Sequence, residues 1–285
     1  MQGSLILRRI AAAGCLPGGM VDSFLRPGVR ILMYHRVCPH SDHDQLAVSP
    51  MRFRRQIELL ARRHRVISLR AAADQLSEPA GTAAVALTFD DGYHDNLVHA
   101  LPVLREFRLP ATIFVTTAFC SQERRHFRYR ESTGRVHLDW SEVRELSREP
   151  GITIGSHTCT HPFLSRLDYA DAAREIADSR WIIESELGAP VDLFCYPSGD
   201  MGCREETLAR EAGYRAAVTV APGLNRPGQS PYALRRTEVT DRDGDTEFAM
   251  KLQGAFDPLH ALLHWRRKRH FNRDARRSDQ GVNGG

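Results

Sequence analysis

Two segments of this 285-residue chain carry side chains whose types and spacing suit metal-assisted proton transfer. Thr88-Phe89-Asp90-Asp91-Gly92 closes the apolar run 83–87. His157 and His161 stand four positions apart in Ser156-His157-Thr158-Cys159-Thr160-His161-Pro162. A carboxylate pair and an imidazole pair suffice to hold one divalent ion and leave one carboxylate free to handle protons. Successive side chains alternate across a strand, so one Asp at a strand end can ligate while its neighbour faces a water. Two ionised carboxylates at close range push one pKa up, and a cation between them relieves this. Taken alone, Asp90-Asp91-Gly92 reads equally well as nothing more than a strand end followed by an Asp-Gly turn. The histidines favour the metal. Zinc-protease helices of the form His-x-x-x-His need a Glu after the first His, where this chain has Thr158, and Pro162 disfavours helical backbone at His161. The pair therefore belongs on a loop after the strand-like 151–155. Two imidazoles and one carboxylate make the three protein ligands of a catalytic zinc-type site, with a position open for water.

The elements that must gather these residues are legible. Seven short apolar, often β-branched runs end in polar or turn residues: 30–35, 83–89, 111–117, 152–156, 192–196, 216–221 and 233–239. Helix-like stretches lie between most of them. Ser49-Pro50 opens one with a cap and a Pro at the first helical position, and Phe53, Ile57, Leu60 and Ala61 form its apolar stripe. Leu97, Leu101, Leu104 and Phe107 stripe a second; Ile176, Ile183 and Leu187 stripe a third, which Gly188 stops. Strand-helix alternation over this length predicts an α/β fold with parallel strands inside and helices outside. In a (β/α) barrel, reactive groups gather at the C-terminal strand ends. His35, Asp90, Asp91, His157 and Pro197-Ser198 all fall at such ends, around one mouth.

Composition bounds the rest. The length suits one barrel-sized domain with short extensions, and 42% hydrophobic residues is ordinary for a globular chain. No apolar run approaches the ~20 residues that span a bilayer. Ala12-Ala13-Gly14-Cys15 has the outline of a lipoprotein cleavage box, but Arg8 and Arg9 leave only 10–14 apolar before it, short of the ~7–15 residues of a signal peptide. A cytoplasmic monomer is expected, with peripheral membrane or periplasmic association as the alternative. The six cysteines show no Cys-x-x-Cys and read as free buried thiols. A net charge of +4 is too small to imply nucleic acid, and it concentrates between Arg266 and Arg277. Asp241-x-Asp243-Gly244-Asp245 lacks the spacing of a calcium loop and reads as a turn into the last helix, capped by Asp245 or Thr246. Residues 118–138, rich in Arg, read as a surface insertion near the mouth.

Thr88-Phe89-Asp90-Asp91-Gly92-Tyr93 and His157-Thr158-x-x-His161-Pro162 resemble the first two motifs of the NodB-homology polysaccharide deacetylases, carbohydrate esterase family 4. The resemblance continues through 109–115 and Leu138-Asp139-Trp140-Ser141. It implies a distorted (β/α)7 barrel over 30–265; composition adds an N-terminal helical extension at 1–29 and a basic disordered tail at 266–285. It further implies a catalytic base at Asp90, metal ligands Asp91, His157 and His161, and one divalent ion, zinc first with cobalt or nickel as alternatives. The implied reaction removes N-acetyl groups from an N-acetylated polysaccharide or oligosaccharide and releases acetate. A small acetamido sugar or acetyl ester is the alternative substrate, and a non-catalytic carbohydrate-binding relative the alternative role. Two positions depart from the family pattern. Cys195 stands where the third motif carries a base-orienting Arg, and Leu234-Arg235-Arg236 stands where a general-acid His would follow. Leu32-Met33-Tyr34-His35-Arg36-Val37 instead resembles the circularly permuted branch that includes poly-β-1,6-N-acetylglucosamine deacetylases. That implies His35 as general acid, Arg236 (or Arg235) as the replacement Arg, and an oxyanion donor at the Tyr196-Pro197 turn.

Overall fold

A computed structural model describes residues 27–39, 44–78, 81–129 and 134–265. The expected N-terminal extension, apart from 27–29, and the expected tail at 266–285 lie outside the described residues. In chain order the strands are β1 (Val29–Tyr34), β2 (Arg36–Val37), β3 (Ala47–Val48), β4 (Ala84–Phe89), β5 (Ala111–Val115), β6 (Ile152–Ser156), β7 (Leu193–Cys195), β8 (Ala216–Val218) and β9 (Arg236–Glu238). Seven of them form one sheet in the order β8-β7-β6-β5-β4-β1-β9, paired in parallel throughout. Its two edges meet. Val218 bridges Leu234 just ahead of β9, with the Thr219 N–H donating to the Leu234 carbonyl at 2.8 Å and the Leu234 N–H to that of Ala217 at 3.0 Å. The result is a nearly closed seven-stranded barrel. β2 and β3 form a separate two-residue parallel pair that the sequence pattern does not signal.

Parallel strands covered on both faces must be apolar almost throughout. Val29–Tyr34 and Ala84–Phe89 meet this with every residue buried. Arg30 is the polar exception in β1. Its guanidinium is held inside by Asp257 at 3.0 Å, the Thr237 hydroxyl at 2.9 Å and the Leu252 carbonyl at 3.0 Å. The helices carry most of the expected stripes outside, although Ala61, expected in the first, is exposed. α1 (Pro50–Arg63) buries Phe53, Ile57 and Leu60. The Leu97 stripe begins in a wide turn, Asn96–Ala100, before the regular α2 (Leu101–Phe107). α3 (Tyr169–Leu187) buries Ile176 and Ile183 and ends on Gly188 at φ 64°. No helix among the described residues is long and apolar enough to cross a membrane.

Some boundaries differ from expectation. β5 stops at Val115 because Thr117–Cys120 turns into a short helix, and β9 starts only at Arg236 because Pro231–Ala233 is itself a turn. The helix after that turn, Asp245–Leu252, starts from Gly244; neither Asp245 nor Thr246 is the cap, and a further helical stretch follows at 257–265. Asp243 does the local work instead, accepting from the Thr240 N–H and from Lys251 Nζ. Of the five described cysteines, all free, Cys203 is exposed rather than buried.

β6 lies within van der Waals reach of both neighbouring strands at Gly155. A Cβ there would sit 2.5 Å from Cδ1 of Phe114, a fully buried ring, and 3.1 Å from the Leu193 carbonyl. Gly155→Ala is therefore expected to cost about 1–3 kcal/mol through overpacking. The shift of the urea midpoint at unchanged slope measures it.

Candidate active site

β4 delivers the two carboxylates, but not by strand alternation. Asp90 extends the ladder by one bond past the strand, its N–H donating to the Tyr34 carbonyl at 3.0 Å. Asp91 then turns left-handed at φ 68°, followed by Gly92 at 58°. For a residue with a Cβ this is a sparsely populated conformation. It swings the second carboxylate into the same mouth instead of to the opposite face. Gly92 is required because a Cβ there would press on Val115 at 3.0 Å, besides the left-handed φ.

The loop after β6 delivers the imidazoles and is strained in the same way. Thr158 and His161 both sit at positive φ, 67° and 60°. The loop is pinned at each step. The His157 N–H donates to Val115 O at 2.9 Å, and the His161 N–H to the Thr158 hydroxyl at 3.0 Å. Glu175 on α3 accepts from the Thr160 N–H at 2.9 Å and from its hydroxyl at 2.7 Å. The loop itself was expected; the Glu175 clamp was not.

These elements bring Asp91, His157 and His161 together. Nε2 of each histidine lies 3.4 Å from the same oxygen, Oδ1 of Asp91. That oxygen is buried and has no hydrogen-bond partner among the described residues. His157 Nδ1 faces the Cys195 carbonyl at 2.7 Å, which leaves Nε2 directed at Asp91. A metal-ligating histidine needs this arrangement, with its second nitrogen fixed by a carbonyl. Burial lowers the His161 pKa to about 4, so its imidazole keeps a lone pair at neutral pH. An orphaned carboxylate oxygen between two imidazole nitrogens is a donor set that fits one divalent ion.

Asp90 is partnered separately. Arg236 meets it with a two-pronged ion pair, Nη1 to Oδ1 at 2.6 Å and Nη2 to Oδ2 at 2.7 Å. Arg236 starts β9, level with Ile31 of β1, and its side chain is fully buried. The guanidinium is fixed in turn by the Thr219 carbonyl at 2.8 Å and the Thr88 hydroxyl at 3.1 Å. Burial pushes the Asp90 pKa up, but Arg236 more than offsets this and holds it below the usual value. His35 Nε2 lies 4.0 Å from Asp90 Oδ2, and its backbone carbonyl takes the Asn96 amide at 2.8 Å.

Asp90, His157 and Cys195 form a second convergent group. It is less suited to an ion. Arg236 occupies both Asp90 oxygens, and burial pushes the Cys195 thiol up, away from the thiolate that would ligate.

The oxyanion donor expected at Tyr196-Pro197 needs correction. The Tyr196 N–H donates to the Val218 carbonyl at 3.2 Å, as part of the sheet, and its hydroxyl donates to the Tyr232 carbonyl at 3.1 Å. Pro197 has no N–H to offer. The exposed Ser198 follows, left-handed at φ 55°. Sequence reasoning also overlooked His126 and His137 beside Asp91; two histidines inside an Arg-rich insertion were the signal available.

The family description "Polysaccharide deacetylase" matches residues 77–217. "Putative polysaccharide deacetylase YxkH" of Bacillus subtilis (strain 168) is 31% identical over 215 residues, covering 74% of this chain and 71% of that protein. Among solved structures, IcaB from Ammonifex degensii aligns with TM-score 0.68 and 25% identity, over 80% of this chain and 97% of that one. The Streptococcus pyogenes deacetylase PplD, solved with acetate, aligns with TM-score 0.70 and 22% identity over 80% and 99%.

With its pKa depressed, Asp90 contributes stability above the ordinary carboxylate value of ~3.9, and loses it as pH falls through the lower folded value. Arg236→Met leaves that carboxylate buried and unpaired, at a cost of about 3–5 kcal/mol at neutral pH. Adding Asp90→Asn should recover much of the loss, a coupling that urea denaturation of both variants measures.

Proposed function

Because the chain belongs to the polysaccharide deacetylase family and is a hydrolase of the carbohydrate esterase and N-deacetylase kind, we propose that it removes N-acetyl groups from the amino sugars of a polysaccharide, using one divalent ion. The observation that carries this reading is the division of labour between adjacent carboxylates. Asp90 is committed to Arg236, while Asp91 has an orphaned oxygen between two imidazoles.

Asp91, His157 and His161 are the proposed metal ligands, with zinc the first choice and cobalt or nickel the alternatives. A divalent ion there would acidify the attacking water and draw off charge that builds on the acetyl oxygen. Asp90 acts as the base: Arg236 keeps it ionised at any pH near neutrality and fixes the plane of its carboxylate. It takes the proton of the water as the oxygen bonds to the acetyl carbon. His35, whose Nε2 lies 4.0 Å from Asp90 Oδ2, is the proposed acid. Its proton passes to the nitrogen as the carbon–nitrogen bond breaks, leaving a free amine and acetate.

The placement of these groups along the chain supports the circularly permuted branch. The acid comes from the end of the first barrel strand, before the Asp pair, and the arginine that orients the base comes from the last strand. In the same reading Arg236 replaces the arginine that Cys195 displaces, and donates to that thiol at 3.2 Å.

A proton-transfer group contributes about 10²–10⁴ in rate. Asp90→Asn and His35→Ala are each expected to lower acetate release from N-acetylglucosamine oligomers at least a hundredfold while retaining metal, and Asp91→Ala or His157→Ala to lose it. Metal analysis beside kinetics checks this. Near-normal turnover in Asp90→Asn would remove the base assignment, and chelator-insensitive acetate release would remove the metal.

A further inference from the structure

We propose that His126 is a further protein ligand of the ion, added to the carboxylate and the two loop histidines by the segment between β5 and β6. This inference rests on the metal reading above and concerns a residue outside the two motifs that define it.

One donor atom from each of Asp91, His126 and His161 lies within 4.8 Å of the other two. Two ligands of a single ion, each bonded at about 2.0–2.2 Å, can stand no more than about 4.4 Å apart. The three groups thus need at most a small contraction to share one. His126 is 5% exposed, and its ring meets that of His161 edge-on at 5.4 Å between centroids. Phe119, Tyr93 and Tyr129 pack around it at 5.9–6.4 Å. An imidazole enclosed this way has few orientations to choose from.

The backbone of His126 is also fixed relative to Asp91. The segment pairs with the residues just after the Asp pair: the His94 N–H donates to Val136 O and the Leu138 N–H to Gly92 O, both at 2.9 Å. His137 lies between these bonds and bridges the two strands of chain. Its Nε2 accepts the His126 N–H at 3.1 Å, so the other nitrogen, Nδ1, carries the proton and donates to the Asp91 carbonyl at 3.0 Å. A neutral histidine therefore ties the main chain of one donor residue to that of another. Such support is what holds a metal ligand to position. The Arg128 N–H donates to His126 Nδ1 at 3.4 Å, a long and weak hydrogen bond, so binding an ion through either ring nitrogen costs His126 at most that contact.

Two measurements test this without relying on turnover. X-ray absorption of the zinc-loaded wild-type protein should show three coordinating imidazoles; two would overturn the proposal. In a competition titration with a chromophoric chelator, His126→Phe should bind zinc at least about tenfold more weakly, as loss of a supporting group already costs 10–100-fold. The cobalt-substituted variant should show altered visible bands. Unchanged affinity and bands in His126→Phe, with zinc lost in Asp91→Ala, overturn this inference alone. Zinc retained at full affinity by Asp91→Ala overturns the metal reading as well.

Discussion

Two neighbouring carboxylates, each about 3% exposed, must both carry charge at the same strand end. That is the constraint around which the rest of the mouth is arranged. In a low-dielectric interior, unpaired anions at this separation would force one to take up a proton. The chain gives each its own positive neighbourhood. Asp90 receives a buried guanidinium, bonded to both its oxygens. Asp91 receives imidazoles, 3.4 Å from one oxygen, at a distance that leaves room for a cation. The first arrangement keeps one carboxylate ionised near neutral pH, as the proposed base requires; the second suits the proposed binding of a cation. Equivalent partners would make the two aspartates interchangeable, and neither role would be defined.

Separating the pair in space requires backbone that most residues avoid. Four of the six non-glycine residues with left-handed φ among the described residues are Asp91, Thr158, His161 and Ser198, all at the mouth. Each such residue costs of order 1–3 kcal/mol and persists only where its surroundings over-determine it. Those surroundings can be named. Gly92 lets the chain pass Val115, the Thr158 hydroxyl and Glu175 grip the histidine loop, and His137 holds the Asp91 carbonyl. The nearly closed sheet beneath supplies the rigidity against which this strain is held, since its central strands β1, β4 and β5 are buried throughout.

Much of the scaffold was readable in the sequence, because parallel strands buried on both faces appear as apolar runs. All seven runs became strands of the one sheet, and the Ser49-Pro50 and Gly188 signals mark real helix ends. Strand limits read less well: Thr116 and Thr117 carry β-branched side chains, yet the short helix Thr117–Cys120 ends β5 at Val115. In the site, residue types and spacing singled out Asp90, Asp91, His157 and His161, which the fold gathers at one mouth. They did not reveal that Asp91 leaves the strand in a left-handed turn, since alternation predicts opposite faces. Arg236 could only be nominated, because its reach to Asp90 depends on barrel closure and not on any local pattern. The Tyr196 N–H failed as an oxyanion donor for a similar reason: sheet pairing with Val218 claims it. His126 and His137 stayed hidden in an insertion whose relation to the Asp pair exists only through tertiary contacts.

The most direct measurement is an anomalous-difference map at the zinc edge from crystals of the zinc-loaded protein. One strong peak is predicted, coordinated by Asp91, His157 and His161, with Asp90 still on Arg236 and outside the coordination sphere. A peak held instead by Asp90, His157 and Cys195, or coordination by both aspartates together, would contradict the division of roles between them.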